Sequence, residues 1–174
     1  MIFLTKKKCV EIGRPHNWEY YRIVIKYLKI INPKNTFELG CFDQPIVLDG
    51  DTMDKNSIVE PTYVWDATIF PWPVKKKYDT FISLQVWEHL KGKQNKIFNK
   101  VSNMFDWAIL SFPYKWKLQE GHSHNRINKK KISEWTFPFK PVIKPKRIRS
   151  RIIYIFNFSK KKNISKQIEK LILV

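Results

Sequence analysis

The chain has little cysteine, little glycine and no long hydrophobic run. Its two cysteines, Cys9 and Cys41, are too few for a disulfide framework or a cysteine-rich metal site, which favours a reducing, cytoplasmic location. Only 5 glycines are present, so each tight turn that contains one is informative. No apolar run approaches the roughly 18 residues that a membrane-spanning helix needs. The apolar start from Met1 to Thr5 is too short for a signal peptide.

Acidic side chains are scarce relative to basic ones. The chain has 33 lysines and arginines against 15 aspartates and glutamates, which gives a formal net charge of +18. Such a charge favours a polyanionic partner, for example nucleic acid, anionic lipid or an acidic glycan. The basic residues are mostly lysines in short runs spread along the chain, as a compositional bias would also produce. Both explanations stay open from the sequence.

Hydrophobic residues are plentiful enough for a sizeable core. They make up 43% of the chain and include 12 Phe, 7 Trp and 7 Tyr. A length of 174 residues suits one domain and is short for two. We therefore expect a single domain over residues 1–174, whose oligomeric state the sequence does not indicate.

Hydrophobic periodicity predicts alternating strands and helices. A helix is expected over residues 17–31, with Asn17 as its N-cap and Pro33 as a stop signal. The further predicted elements are strands at 35–40, 46–48 (a fragment), 62–65, 78–84, 107–112 and 149–158, and helices at 93–105, 129–135 and 163–173. This alternation predicts an α/β fold with a mostly parallel sheet and flanking helices.

Polar residues follow several of these strands. Glu38 and Gly40 form a glycine turn after the first strand, the first strand-to-helix corner of a doubly wound sheet, where ligands bind. A plain turn would give the same short pattern. Asp49, Asp51 and Asp54 come near the expected end of the second strand, where an acidic residue could accept hydrogen bonds from ribose hydroxyls. A solvated acidic loop is the alternative for each of them.

The order of these pieces resembles a known family. Glu38-Leu-Gly40 is followed by Asp66-Ala-Thr68, then by Phe70-Pro-Trp-Pro73, and then by Gln85-Val-Trp-Glu-His-Leu90. The series resembles class I S-adenosylmethionine-dependent methyltransferases, in particular small type 11-like proteins, over about residues 14–136. The resemblance implies a compact, Rossmann-like, doubly wound domain that uses S-adenosylmethionine as its cofactor.

The resemblance also implies roles for individual residues. Glu38, Gly40 and the adjacent Cys41 would shape the pocket around the methionine part of the cofactor. Asp51, or else Asp49 or Asp54, would hold the ribose. The adenine would be flanked by Asp66 and Ala67, and Gln85 would lie beside the sulfonium.

The chain departs from the family pattern in three ways. Phe42 stands where the family has a second glycine, and Trp87 stands where a smaller aliphatic residue is commoner. The segment from Gly40 to Asp51 is also short for a crossover helix. We expect either a helix reduced to a turn or an altered cofactor pocket.

Three histidines are candidates for a general base. Methyl transfer mainly requires alignment of a nucleophile, and an oxygen nucleophile gains from a base that works near neutral pH. His122 and His124 share a glycine-containing loop, and His89 follows a buried strand. Each of them could instead hydrogen-bond structurally. No further cysteines or histidines surround the His122–His124 pair, so no metal site is expected.

The sequence is compatible with three functions. The first is methylation of a small molecule, such as a sugar or glycan precursor, since no added recognition domain is evident. The second is methylation of nucleic acid, which the charge of +18 favours. The third is a catalytically inactive basic binding protein that keeps the fold, which Phe42 and the short segment after Gly40 favour.

Overall fold

The computed structural model describes residues 1–42, 44–117, 124 and 126–159. Within these residues, seven strands form one sheet and four α-helices flank it. The strands are β1 (Thr36–Leu39), β2 (Asp51–Asp54), β3 (Tyr63–Val64), β4 (Thr80–Leu84), β5 (Trp107–Pro113), β6 (Lys146–Ile148) and β7 (Arg151–Asn157). The helices are α1 (Lys6–Glu11), α2 (Trp18–Ile31), α3 (Gln94–Met104) and α4 (Lys129–Thr136). No helix among the described residues is long and apolar enough to cross a membrane.

The sheet is doubly wound. Its strand order is β3-β2-β1-β4-β5-β7-β6, in which β1 to β5 are parallel and β7 runs antiparallel to both β5 and β6. The chain winds outward from β1 to β3 and then crosses back to β4 on the other side of β1. The predicted α/β fold with a mostly parallel, doubly wound sheet is therefore confirmed.

The two faces of the sheet carry separate cores, because successive side chains of a strand point to opposite faces. On β4, Phe81 packs with α3 and α4, whereas Ile82 packs with α2. On β5, Leu110 and Ile109 divide between the same two cores. All seven residues of β5 are buried, as expected for a central strand covered on both faces.

Helix α2 packs on one face of the sheet. Val24 and Leu28 pack on the sheet, and the helix ends at Asn32, which adopts the left-handed conformation (φ 50°) just before Pro33. Asn17 stands at the N-cap position, but its side chain makes no capping hydrogen bond. It lies buried in a 3₁₀ turn, Pro15–Asn17, and the expectation that its side chain caps the helix is therefore wrong.

The segment after β1 differs from its prediction. The second strand begins at Asp51, and the expected strand fragment at residues 46–48 forms only a bridge between Val47 and Phe3. The described residues between Gly40 and Gly50 form no helix, so the crossover is reduced to turns. The sequence patterns also did not predict α1 and β6. The predicted helix at 163–173 lies outside the described residues.

Candidate cofactor-binding site

A cavity of about 500 Å³ opens at the carboxyl ends of the parallel strands. It lies where β1 separates the two halves of the sheet, the position at which doubly wound sheets bind ligands. Its lining comes from the segments after β1 to β4, from the start of β7, and from the 3₁₀ turn and α2 that precede β1. The first thirty residues therefore supply part of the site.

Gly40 forms the corner after β1. Its φ is +73°, and its N–H donates to the carbonyl oxygen of Met53 at 2.8 Å. A Cβ at this position would lie 2.3 Å from Cγ2 of Val86, in the segment after β4. The corner requires glycine both for its backbone conformation and because the segments after β1 and β4 touch there.

Phe42 and Trp87 leave the cavity open. Phe42 keeps the left-handed backbone conformation (φ 46°), while its side chain is 57% exposed at the rim beneath the guanidinium of Arg14. Trp87 turns into the core, where its ring packs against Phe98 and Phe112. Phe42 therefore lies at the rim of the cavity and Trp87 outside its lining, and neither side chain fills the cavity.

Glu38 lines the cavity and holds the segment after β1. Its Oε2 accepts a hydrogen bond from the N–H of Ile46 at 2.8 Å. Burial raises the pKa of Glu38 to about 8, against the lowering effect of backbone hydrogen bonds from Ile46 and Val47. Cys41 also lines the cavity, and burial raises the pKa of its thiol to about 11.

Asp51, the aspartate that the sequence favoured for the ribose, is not part of the cavity lining. Asp51 pairs with Phe37 near the start of β1, at the edge of the sheet opposite to Gly40. Its Oδ2 instead accepts from the hydroxyl of Tyr78 at 2.6 Å and from Lys76 at 2.9 Å. The carboxylate that ends β2 and lines the cavity is Asp54. The sequence placed the second strand too early, at residues 46–48, and therefore favoured an aspartate that lies at the start of β2 and not at its end.

Asp54 and Asp66 present carboxylate oxygens at one end of the cavity. Oδ1 of Asp54 accepts from the N–H of Asn56 at 2.9 Å, while its Oδ2 has only a long contact of 3.4 Å with the N–H of Phe42. Oδ1 of Asp66 accepts from the N–H and the hydroxyl of Thr68, and these bonds lower the pKa of Asp66 despite partial burial. Ala67 also lines this end.

Gln85 belongs to a hydrogen-bond network that continues to Tyr20. Its backbone N–H and its Nε2 donate to Oγ of Ser111 at 3.2 and 3.1 Å, and its φ is +60°. These two bonds occupy the lone pairs of Ser111, so the hydroxyl proton of Ser111 is donated to Oη of Tyr20. Burial raises the pKa of Tyr20 far above its ordinary value, which keeps its own proton as a donor beside the cavity.

Asn17 contributes a further polar atom that sequence reasoning did not assign to the site. The side chain is 4% exposed, it lines the cavity, and its Oδ1 has no hydrogen-bond partner among the described residues. A buried carbonyl oxygen without a donor is costly, so a ligand donor there would be stabilising. Tyr20 and Ser111 were also missed. Ser111 could have been found from its place near the end of a predicted strand.

Of the candidate histidines, His89 lies at the cavity. Its Nε2 is 3.9 Å from Oε1 of Glu88, and its side chain is 42% exposed. His124 is not part of the cavity lining; it packs on Trp135 with ring centroids 4.9 Å apart, and burial lowers its pKa. His122 lies outside the described residues. The described part of the chain contains no cluster of three metal-ligating side chains.

No protein-family model matches the sequence, and no curated protein matches it either. Solved structures do share the fold. The methyltransferase domain of bacterial CtHen1 matches 81% of this chain and 98% of its own length, with a TM-score of 0.62 and 15% identity. An S-adenosylmethionine-dependent methyltransferase from Clostridium acetobutylicum matches 79% and 89% (TM-score 0.61, 9% identity). An rRNA methylase from Escherichia coli matches 86% and 72% (TM-score 0.54, 14% identity).

The chain therefore has the fold of class I S-adenosylmethionine-dependent methyltransferases, as the motif order predicted. At these identities the likeness concerns the fold alone. Any assignment of chemistry depends on the residues that line the cavity.

A first prediction concerns the corner at Gly40. Gly40→Ala should weaken the binding of S-adenosylhomocysteine at least tenfold, because the new Cβ would displace Val86 and the segment that carries Gln85. Gly92→Ala is the matched control, since Gly92 has φ +80° but no atom within 4 Å of a Cβ. Both variants should lose about 1–2 kcal/mol of unfolding free energy to backbone strain. Equal affinities of the two variants in calorimetric titration would contradict the steric argument.

A second prediction concerns the buried Glu88, which is 2% exposed. Burial raises its pKa from 4.5 to about 7, so the stability contributed by its bound proton is complete below pH 4.5 and is lost as the pH rises through 7. Relative to Glu88→Gln, the wild type should lose unfolding free energy over this window, by at most about 1.4 kcal/mol per pH unit. Urea unfolding between pH 4.5 and 8 measures the difference, and Glu134→Gln on the exposed side of α4 is the control. A pH-independent difference for Glu88→Gln would refute the assignment.

Proposed function

We propose that this chain is an S-adenosylmethionine-dependent methyltransferase that acts on a small-molecule acceptor in the cytoplasm. The observation that carries the proposal is the cavity at the switch point of the sheet, which remains open despite Phe42 and Trp87. A sugar or glycan precursor is the acceptor class that we favour among small molecules.

The polar groups of the cavity fit the proposed cofactor. S-adenosylmethionine carries donors in its ribose hydroxyls, its adenine amino group and its ammonium group. The cavity offers acceptors in the carboxylates of Asp54 and Asp66 and in the unpartnered Oδ1 of Asn17. The hydroxyl proton of Tyr20 is a further donor, beside Arg151. Asp54 would hold the ribose, Asp66 and Ala67 the adenine, and Glu38, Gly40 and Cys41 would shape the methionine end.

The chain's own residues would mainly align and shield the reacting groups. When bound, the cofactor supplies an electrophilic methyl group, and alignment of a nucleophile then provides much of the rate enhancement. Gln85, held by Ser111, orients the segment after β4, and α2 covers the cavity through Tyr20. His89, at the cavity wall, is the proposed acceptor of a proton from a hydroxyl substrate. His124 packs against Trp135 and is not in the cavity lining, so its position does not suit a general base for this cavity.

A third prediction tests the cofactor. S-adenosylmethionine and S-adenosylhomocysteine should bind, and Asp54→Asn should weaken both about 10- to 100-fold, since a charged hydrogen bond contributes about 1.5–3 kcal/mol. Asp51→Asn is the matched control on the same strand, whose carboxylate faces Tyr78 and Lys76 instead. It should lower the unfolding free energy and leave cofactor affinity unchanged. Isothermal titration calorimetry measures both affinities. An absence of binding at millimolar cofactor would favour a fold-preserving basic binding protein.

Methylation of RNA is a second candidate function, favoured by basic side chains near the site. Lys115, Lys117 and Arg126 line a second depression together with Asn128, just beyond β5. The formal charge of +18 adds a favourable long-range field, and the Escherichia coli neighbour is named as an rRNA methylase.

A fourth prediction decides between the two acceptor classes. If RNA is the acceptor, Lys115→Gln with Lys117→Gln should weaken RNA binding and reduce the slope of log affinity against log salt by about 1–2. Lys26→Gln, on the exposed side of α2, should leave the slope unchanged. Fluorescence anisotropy with labelled single-stranded and hairpin RNA at several salt concentrations provides the measurement. The absence of binding near physiological salt would leave the small-molecule acceptor as the proposal.

A further inference from the structure

The two ends of the cavity carry different polar groups. Asp54 lies at the end of β2 and Arg151 at the start of β7, and both line the cavity. The order β2-β1-β4-β5-β7 separates them by four strand spacings, roughly 19 Å at about 4.8 Å each. The carboxylates proposed for the ribose and adenine are thus at one end, and Arg151 is at the other.

The guanidinium of Arg151 contacts two aromatic rings. Its Cζ lies 5.1 Å from the ring centroid of Tyr20 and 5.9 Å from that of Trp116. Cation–π contacts of this kind restrict where the guanidinium can lie, while its N–H groups keep their capacity to donate hydrogen bonds. The side chain is therefore oriented before any ligand binds.

No acidic partner in the described part of the chain neutralises Arg151. Its Nε is buried without a hydrogen-bond partner, and none of the ion pairs among these residues includes it. Oε2 of the neighbouring Glu88 has no hydrogen-bond partner among these residues, and burial raises the pKa of Glu88 to about 7 against the lowering effect of the Arg151 charge, so this carboxyl is a weak counter-ion. By contrast, Arg149 on the same hairpin is exposed and pairs with Glu19 at 3.3 Å. A partly buried cation without an anion is destabilising, and a bound anion would offset this cost.

We infer that Arg151 binds an anionic group, a carboxylate or a phosphate, of the small-molecule acceptor. The inference rests on the proposed function and specifies the acceptor of the same cavity. The planar guanidinium matches the two oxygens of such a group, and the hydroxyl of Tyr20, beside it, is a second donor. Because Arg151 is recessed in a cavity, a terminal group of a small molecule reaches it more readily than the backbone of an RNA does.

A fifth prediction tests this site with simple probes. The protein, with and without saturating S-adenosylhomocysteine, is titrated with phenyl phosphate, with benzoate and with neutral benzamide, and tryptophan fluorescence reports binding near Trp116. At least one anion should bind to the wild type. Arg151→Gln should weaken the affinity for this anion at least tenfold, and Arg149→Gln should leave the affinity unchanged. Benzamide should bind more weakly than the anions in the wild type and about equally in all three proteins. The anion that binds identifies the group as phosphate or carboxylate.

The outcomes separate this inference from the proposed function. Equal anion affinity in wild type and Arg151→Gln, or no anion binding by the wild type, overturns the inference. Loss of S-adenosylhomocysteine affinity in Arg151→Gln would also overturn it, because Arg151 would then belong to the cofactor, and the proposed function would stand. Anion binding that depends on Arg151 in a protein that binds no cofactor would support the site and refute the proposed function. If Arg151→Gln does not fold, Arg151→Lys replaces it and should weaken binding at least threefold, since lysine cannot donate two parallel hydrogen bonds.

Discussion

The close approach of the segments after β1 and β4 is the constraint on which the rest of the site depends. A Cβ at position 40 would collide with Val86. Because Gly40 has none, the two halves of the sheet can approach closely at their switch point. That contact places Gln85 in its left-handed turn, and Gln85 in turn reaches Ser111 on β5. Through Ser111 the network extends to Tyr20 on α2. One residue without a side chain thus sets the relative positions of four elements.

Much of the fold could be predicted from the sequence, because strands β4 and β5 are largely apolar and helix α2 has a clear helical period. Which of three aspartates would bind the ribose in the proposed site could not be predicted. Asp49, Asp51 and Asp54 are chemically alike, and only the register of β2 against β1 decides which one reaches the cavity. Helix α1 was missed because Cys9 is its one buried residue, which leaves no apolar face to detect. Asn17 resembles an N-cap in sequence, and only the 3₁₀ turn before α2 directs its amide elsewhere.

Phe42 and Trp87 depart from the family pattern without changing the backbone path of the corner after β1. Phe42 occupies a position where glycine is usual and adopts a glycine-like φ of 46°, at a cost of about 1–2 kcal/mol for a residue with a Cβ. Its ring is accommodated at the surface, against Arg14. Trp87 is larger than the usual residue, but it extends the aromatic core around Phe98 rather than entering the cavity. The backbone path of the corner is retained although the residue types differ.

The N-terminal segment both packs on the sheet and lines the cavity, so ligand binding would affect the stability of that packing. The turn at Asn17 and helix α2 contribute to the cavity, and side-chain packing rather than strand hydrogen bonds joins α2 to the sheet. A ligand in the cavity would contact this cover and the sheet at once. Its binding free energy would therefore also stabilise the packing of α2 on the sheet, and the protein's resistance to unfolding would rise with ligand concentration.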